Sequence, residues 1–471
     1  MYAEWISTID QLIEASTDQI VADTAKLVRI DSTQGDPEAG APFGKGPRAL
    51  LDTVLAMGRE AGFACTDYGV GVVSLALQDT TPDLGIWLHG DVVPVGDGWS
   101  FPPFGATLHN GCIIGRGAAD NKGQLAAIFN LFKIFRSIGL PLSYNPAIYV
   151  GSNEEMGMRD MIGVEGNPDA KGFLAVATPP KLSLVPDGSF PVGCGGKGGL
   201  TLTLRSRTRL HGWSLTAGQD DAPGRANAIF DRTSLSDELP QCTVREEGGK
   251  TVIASFSPPR HGANPDPNGN MITQLCGALL DARLARKEDV YILDFLKRVS
   301  KDIHGDILGI RTTHDSMGPL TVFAKKVDCV DGYCDLHLNI RYPLGITYDE
   351  IVERVIHAAE EAGFCLQKAA RGVDPYLRDA QSNVVKMLAD VANGVDGADR
   401  KPYSMSGATY AHYLPNSYVY GASANQPPAD FPAGKGGSHG IDEAVSLHRL
   451  KITMKIYARA LIKLQEADWN V

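Results

Sequence analysis

Two adjacent glutamates, Glu154 and Glu155, follow a short apolar run at residues 147–150. Other carboxylate and imidazole donors are spread along the chain: His89 and Asp91 in a His-Gly-Asp sequence, then Asp120, Asp187 and His439. Oxygen and nitrogen donors of this kind bind divalent metal ions, and a bound metal activates water for hydrolysis. The glutamate pair suggests a division of labour, in which one carboxylate binds metal and the other transfers protons.

His89 and Asp91 stand at the end of a predicted strand, residues 85–88. Side chains two residues apart on an extended backbone point to the same side, so the Asp91 carboxylate can fix the orientation of the His89 ring. Taken alone, a histidine at a strand end is more often packed or solvated than bound to a metal.

The other donors lie in segments that also have simpler interpretations. Asp120 follows the glycine-punctuated segment 115–119 and precedes a predicted helix, so it is either a helix cap or a carboxylate that bridges two metals. The Pro-Asp-Gly sequence around Asp187 is typical of a turn. His439 lies in a predicted loop, where a histidine commonly has no special role.

Hydrophobic patterns predict the elements that must position these donors. Strands are expected at residues 72–77, 85–88 and 147–150, and helices at 8–30, around 50–61 and at 120–138. Strands that alternate with helices indicate an α/β sheet whose functional groups lie at the carboxyl ends of its strands.

The pattern changes near residue 195. Alternating runs at 197–205, 251–256 and 333–342, with helical patterns at 270–284 and 348–362, predict an inserted α+β region with an antiparallel sheet. Helices are expected again at 382–392 and 442–464. Because His439 is far in sequence from the other donors, a shared site predicts one domain of residues 1–194 and 373–471, interrupted by a domain of residues 195–372.

Composition narrows the class of protein. The 471 residues include 44 basic and 55 acidic side chains, a net charge of −11 that argues against a nucleic-acid partner. We expect no membrane span and no secretion signal, and therefore a cytoplasmic protein. The eight cysteines form no C-x-x-C pair and are expected to be reduced and mostly buried.

Several short motifs, together with the donors in their order, carry a resemblance to a known family. The motifs are Pro-Phe-Gly at 42–44, Pro-Asp-Gly-Ser-Phe-Pro at 186–191, Asn-Ile-Arg-Tyr-Pro at 339–343 and Ser-Gly-Ala-Thr-Tyr-Ala at 406–411. The chain resembles the dinuclear-zinc amidohydrolases that include aminoacylase, carnosine dipeptidase, succinyl-diaminopimelate desuccinylase and bacterial glutamate carboxypeptidase. It is most similar to the bacterial dipeptidase V type.

The resemblance implies a fold and a set of metal ligands. The fold is a mixed-sheet α/β catalytic domain with an inserted α+β lid of antiparallel sheet and helices. The implied ligands are His89 and Asp187 for one zinc, Glu155 and His439 for the other, and Asp120 for both. Asp91 would orient His89, Glu154 would be the general base, and the Asp120–Asn121 peptide bond would be cis. Carboxylate-rich sites of this kind also accept Mn²⁺ or Co²⁺.

The resemblance also implies contacts with substrate. His261 would stabilise the oxyanion, Asn227 would line the same place, and Arg341 would bind the substrate's terminal carboxylate. Gly407 and Thr409 are the remaining implied substrate contacts. The simpler interpretations are a loop histidine, a turn asparagine and a strand arginine that faces water.

The implied activity is hydrolysis of dipeptides by an enzyme that is a monomer or a homodimer. Two alternatives stay open: a deacylase of N-acyl amino acids with the same chemistry, and a catalytically silent binding or scaffold protein. The sequence departs from the dipeptidase pattern at two places, and the second of them bears on substrate choice. No acidic residue precedes Lys197, and His412 stands where arginine is usual.

Overall fold

A computed structural model describes residues 2–164, 166–167, 170–218, 224–230, 239–257, 265–266, 269–422, 431, 434–467 and 469. His261 therefore lies outside the described residues. The chain divides into two compact units. The first comprises Met1–Cys194, Leu377–Tyr403 and Thr409–Val471, and the second comprises Gly195–Tyr376 and Ser404–Ala408.

The helices and strands of the described residues are numbered in chain order. The helices are α1 Tyr2–Ala15, α2 Thr17–Val28, α3 Lys45–Glu60, α4 Gly123–Ser137, α5 Arg159–Ile162, α6 Phe173–Val176, α7 Met271–Asp281, α8 Val290–Lys301, α9 Tyr348–Glu361, α10 Asn383–Asp396 and α11 Leu447–Lys463. The strands are β1 Ala64–Asp67, β2 Val72–Ala76, β3 Leu84–His89, β4 Thr107–His109, β5 Cys112–Ile114, β6 Pro146–Gly151, β7 Leu182–Val185, β8 Gly193–Gly196, β9 Gly198–Ser206, β10 Trp213–Gly218, β11 Gly224–Phe230, β12 Cys242–Glu247, β13 Lys250–Ser257, β14 Thr313–His314, β15 Gly318–Pro319, β16 Thr321–Val330, β17 Tyr333–Tyr342, β18 Phe364–Arg371, β19 Tyr376–Leu377, β20 Tyr403–Met405, β21 Ser417–Val419 and β22 Ala444–Ser446.

The first unit is built on a mixed sheet. Its strand order is β1-β2-β6-β3-β7-β21-β8-β19, with β20 paired to β8. Strand β3 runs parallel to both β6 and β7, whereas β1 and β2 are antiparallel to their neighbours. All residues of β3, β6 and β7 are buried, which explains their nearly continuous apolar sequences.

Helix α4 lies at the centre of the first unit's core. Leu125, Ile128 and Phe132 recur at helical spacing and are all buried. The helix packs against α2 and α11, so elements from both ends of the chain share one core. That shared core brings the C-terminal segment that carries His439 into the same unit as the N-terminal donors.

The second unit is an antiparallel sheet with helices. Its strand order is β12-β13-β11-β10-β16-β17-β9-β18, and each described pairing is antiparallel. In β17, the alternate residues Leu336, Leu338 and Ile340 are buried in the unit's apolar core. The predicted fold class, a mixed α/β sheet interrupted by an α+β insert with an antiparallel sheet, is confirmed.

Two predicted helices differ from the structure, one by a break in its middle and the other at its start. The segment predicted as one helix at 8–30 forms α1 and α2, because the Ser16 hydroxyl donates to the Ile13 carbonyl at 2.9 Å and competes with helix continuation. The last helix begins at Leu447 and not near Asp442, since residues 444–446 form strand β22. Asp442 instead accepts the backbone N–H groups of Ser100 and Phe101.

Candidate metal centre

Three neighbouring parallel strands deliver donors to one edge of the mixed sheet. His89 is the last residue of β3 and pairs with Gly151 at the end of β6. Glu154 and Glu155 follow β6, and Asp187 follows β7. Because β3, β6 and β7 are parallel, these carboxyl ends meet at one edge of the sheet. The sequence pattern predicted β3 and β6 but not β7.

The donors form two overlapping groups. His89, Asp120 and Asp187 make one group, and Asp120, Glu155 and His439 make the other, with ligand atoms within 4.8 Å of one another in each. The Nε2 atom of His89 lies 2.9 Å from Oδ1 of Asp120, and Nε2 of His439 lies 2.9 Å from Oε1 of Glu155. Asp120 is common to both groups, which is the arrangement a bridging carboxylate requires.

Asp91 connects the His89 strand to the glutamate turn. Its carboxylate is buried and accepts the backbone N–H of Glu154 at 3.1 Å and of Glu155 at 3.0 Å. The Asp91 backbone carbonyl lies 3.1 Å from Nδ1 of His89, while the carboxylate oxygen is 3.7 Å away. Asp91 therefore orients His89 through its carbonyl and fixes the glutamate turn through its side chain.

Glu154 lies beside both groups and belongs to neither. It is 8% exposed. Burial raises the pKa of Glu154 well above its usual range, and the charge of the neighbouring Asp187 carboxylate is the second largest cause of the rise. A carboxylate whose pKa is raised in this way accepts a proton more readily, which suits a general base.

Asp120 has the opposite electrostatic environment. Burial alone would raise the pKa of Asp120, but hydrogen bonds with His439 and His89 lower it well below its usual range. Burial and the nearby Asp120 charge instead raise the pKa of Asp187 to about 7. Asp120, which both groups share, is therefore held in its charged form more strongly than Asp187 or Glu154.

The donor set fits a pair of divalent cations. Three partly buried carboxylates, those of Asp120, Glu155 and Asp187, converge with two imidazoles. Carboxylates at this spacing repel one another and lose part of their hydration, so a bound cation stabilises the cluster. Mixed imidazole and carboxylate donors bind zinc, and they also bind manganese or cobalt.

Sequence reasoning missed a buried ion pair behind the donors. Arg116 Nη1 donates to Glu443 Oε2 at 2.8 Å, and both side chains are at most 2% exposed. The Glu443 carboxylate also accepts the N–H groups of Gly117, Ala119 and Asp120, at 2.9–3.0 Å. Arg116 donates to the His439 carbonyl at 3.1 Å.

The Arg116–Glu443 pair fixes the positions of two loops that carry metal-ligand candidates. One carboxylate and one guanidinium hold the Asp120 loop and the His439 loop together. No local sequence signal points to it, because the partners are 327 positions apart. The Asp120–Asn121 peptide bond in the same loop is cis, as the resemblance implied. The Asn121 amide donates to the Pro186 carbonyl at 3.0 Å, beside Asp187.

A second buried carboxylate was also missed. Asp160 Oδ2 accepts the N–H groups of Ser152 at 2.8 Å and Asn153 at 3.1 Å, and the Tyr410 hydroxyl at 2.6 Å. These contacts fix the backbone just before Glu154. Burial, followed by the Asp91 charge, raises the pKa of Asp160 to about 7.

The predicted substrate contacts lie in both units. Thr409, in the first unit, is buried, and its hydroxyl accepts the Ala411 N–H at 3.3 Å. Gly407, Asn227 and Arg341 lie in the second unit. The Asn227 side chain accepts from Arg225 Nε at 3.1 Å.

Arg341 has an unusual environment within the second unit. Its Nε atom is buried and has no hydrogen-bond partner among the described residues. Burial lowers the pKa of Arg341. Gly199 faces it across β9 and β17, where an added Cβ would lie 2.6 Å from Nη1. The glycine therefore leaves room for the guanidinium, which has no carboxylate partner among the described residues.

Comparisons with known proteins agree on one family. A family model described as "Peptidase family M20/M25/M40" matches residues 86–463. The Bacillus subtilis protein named "Putative dipeptidase YtjP" is 25% identical over 472 residues, which cover 95% of this chain and 97% of that protein.

Solved structures show the same fold. Human carnosine dipeptidase 1 is similar with a TM-score of 0.58 at 14% identity, over 98% of this chain and 100% of that one. The Saccharomyces cerevisiae dipeptidase Dug1p is similar with a TM-score of 0.58 at 13% identity, over 98% of this chain and 99% of that one. Within the described residues, no helix combines the length and the apolar character that crossing a membrane would require.

Proposed function

From the premise that this chain belongs to peptidase family M20/M25/M40 and is a hydrolase acting on peptide bonds, we propose that it is a dipeptidase with two zinc ions. Its substrates would be dipeptides with a free C-terminal carboxylate. The observation that carries the proposal is the pair of donor groups that share Asp120, with Glu154 beside them. The dipeptidase name of the Bacillus subtilis relative supports the substrate class.

The two donor groups define how the metals would be held. His89 and Asp187 would hold one ion, Glu155 and His439 the other, and Asp120 both. When bound, the ions would acidify a water molecule and polarise the substrate carbonyl.

Glu154 would move the proton. It would take a proton from the attacking water and deliver it to the leaving amine, so one group serves as base and then as acid. The raised pKa of Glu154 favours the uptake, and Asp91 fixes its backbone through the 3.1 Å hydrogen bond. Asp160, through Ser152 and Asn153, would hold the same turn from the other side.

Arg341 would bind the substrate's terminal carboxylate. A planar guanidinium pairs with a carboxylate through two parallel hydrogen bonds, and the buried Nε of Arg341 has no acceptor within the described part of the chain. His261 would stabilise the oxyanion, and Asn227, Gly407 and Thr409 would contact substrate, as the resemblance implies. The second unit would serve as the lid of the catalytic unit.

A substrate panel tests the proposal. The purified chain, loaded with Zn²⁺, is assayed on Ala-Ala, on Ala-Ala amide and on N-acetylalanine. We expect Ala-Ala to have the highest kcat/KM, because only it has both a free amine and a terminal carboxylate. A higher kcat/KM on N-acetylalanine would make the enzyme a deacylase of N-acyl amino acids and would overturn the dipeptidase assignment.

A metal titration tests the cofactor. Metal is removed from the protein with a chelator, and the chelator is then removed. The metal-free protein is titrated with Zn²⁺ in a calorimeter, and its metal content is measured by atomic spectroscopy. We expect two equivalents of zinc to bind, and activity to return with the second. Saturation at one equivalent would contradict a two-metal site.

A further inference from the structure

Cys329 and Cys334 face each other across the hairpin of β16 and β17 in the second unit. The antiparallel register pairs them directly, one step inward from Val330 and Tyr333. The intervening Asp331 and Gly332 have φ values of 52° and 83°. Two positive φ values in a two-residue loop are typical of a type I′ hairpin turn, which fixes this register.

The two cysteines occupy a position of the strand pair where opposite residues do not exchange backbone hydrogen bonds. The Cys334 N–H donates to Ser206 Oγ at 2.9 Å, on the side of β9, and so does not point towards Cys329. Residues opposite each other without mutual backbone hydrogen bonds have Cα atoms about 4.5 Å apart. That separation falls within the range of about 4.4–6.8 Å that a disulfide accepts.

The two thiols have different access to solvent. Cys334 is fully buried, whereas Cys329 is half-buried beside the exposed turn. The neighbouring Cys334 thiol lowers the pKa of Cys329 to about 6 against the effect of burial, and the backbone of Leu215 and of Gly332 adds to this. The accessible thiol is therefore the more nucleophilic one, and the buried thiol is placed to react with it.

We propose that Cys329 and Cys334 are a dithiol that hydrogen peroxide oxidises to a cross-strand disulfide. In the first step, the Cys329 thiolate attacks one peroxide oxygen, the S–O bond forms and the O–O bond breaks. The product is a sulfenic acid, and the departing hydroxide takes up a proton to become water.

The second step closes the disulfide. The Cys334 sulfur attacks the Cys329 sulfur, the S–S bond forms and the S–O bond breaks. The departing hydroxide takes the Cys334 proton and leaves as a second water. The two cysteines lose two electrons in total, and one peroxide is reduced to two waters.

Other cysteines of the second unit supply the comparison. Cys242 is also half-buried on a strand, but its partner in the register is Ser255. Cys365 is paired with Arg205. The four residues between Cys329 and Cys334 match no redox motif, so the pair emerges only from the strand register.

Peptide mapping of the full chain tests the proposal. The reduced protein is treated with hydrogen peroxide, quenched, alkylated with iodoacetamide and digested with trypsin. Cleavage after Lys326 and Arg341 gives a peptide of residues 327–341 that contains both cysteines and no others. We expect this peptide to lose two hydrogens and to escape alkylation, and reduction before alkylation to reverse both changes.

Three variants separate the pair from general oxidation. Cys329→Ser and Cys334→Ser should each abolish the loss of two hydrogens, and Cys242→Ser should leave it unchanged. The proposal is overturned if the wild-type peptide only gains oxygen atoms, or if Cys329 becomes linked to another cysteine. If Cys334→Ser fails to fold, the wild-type peptide and the Cys329→Ser variant, whose substituted side chain is only half-buried, still test whether the disulfide forms.

Discussion

The carboxylate of Asp91 accepts the backbone N–H of Glu154 at 3.1 Å, and its second oxygen accepts that of Glu155 at 3.0 Å. One buried side chain on the segment after β3 therefore sets the direction of both glutamates after β6. The relationship gives Asp91 a role beyond orienting His89.

Asp91→Asn should lower kcat, because an amide keeps one acceptor oxygen where the carboxylate offers two. We expect a loss of about tenfold to a hundredfold, the range typical of groups that orient metal ligands. Steady-state kinetics on Ala-Ala measures it, and Asp97→Asn, at an exposed position of the following loop, is the matched control. An Asp91→Asn variant with unchanged kcat would remove this role.

The two glutamates should separate in function. Glu154→Gln should lower kcat by about 10²–10⁴-fold, because the general base is lost, while both zinc ions stay bound. Glu155→Gln should lose metal, because it removes a ligand carboxylate from the Asp120 and His439 group. Atomic spectroscopy on each purified variant, beside its kinetics, distinguishes the two effects. Loss of zinc from Glu154→Gln with retention in Glu155→Gln would reverse the assignment.

Arg341→Ala should discriminate between substrates. The lost guanidinium should reduce kcat/KM on Ala-Ala by about tenfold to a hundredfold or more, in line with about 1.5–3 kcal/mol for a hydrogen bond to a charged group. On Ala-Ala amide, which has no carboxylate, the change should be small. Arg354→Ala, an exposed arginine of the same unit, is the control. Equal losses on both substrates would contradict the carboxylate contact.

The placement of His89, Glu154 and Glu155 after strands was predictable from sequence, because strand ends and residue chemistry are local. The apolar run at 147–150 marks β6, and the carboxylates that follow it must lie at its end. The alternating run at 333–342 became β17 with the same bounds. Where periodicity and residue type agree, the sequence predicts both the element and the edge of the sheet to which its donors belong.

Other features could not be predicted, because their partners are remote in sequence. In the sequence, Glu443 is one acidic residue a few positions after the loop histidine His439. In the structure, it accepts hydrogen bonds from the Asp120 loop, whose donors lie 323–327 positions earlier in the chain. The Ser16 break between α1 and α2 depends on a side-chain choice that hydrophobic periodicity does not report. The strand at 444–446 forms by pairing with β5, which moved the start of the last helix.

The Arg116–Glu443 pair should matter strongly for stability. Glu443→Gln leaves the Arg116 charge buried without its partner, and breaking a buried pair typically costs about 3–5 kcal/mol. Urea denaturation in the presence of a chelator measures the free energy of unfolding without a contribution from metal. Glu14→Gln, which removes a half-exposed carboxylate from its pairs with Lys451 and Lys455, is the control and should cost at most about 1 kcal/mol. Similar small costs for both variants would show that the buried pair contributes little.

Asp160 should give the folded chain a measurable pH dependence. Its pKa is raised from 3.8 to about 7 by burial and then by Asp91, so the folded state retains a proton that the unfolded state has already released. Between these pKa values the unfolded state binds fewer protons, and the free energy of unfolding therefore falls as pH rises from about 4 to about 7. Asp160→Asn, which keeps an acceptor for Tyr410, removes this contribution. Urea denaturation across that pH range should show that the wild type loses more stability than the variant as pH rises, and parallel pH profiles would rule out a raised pKa for Asp160.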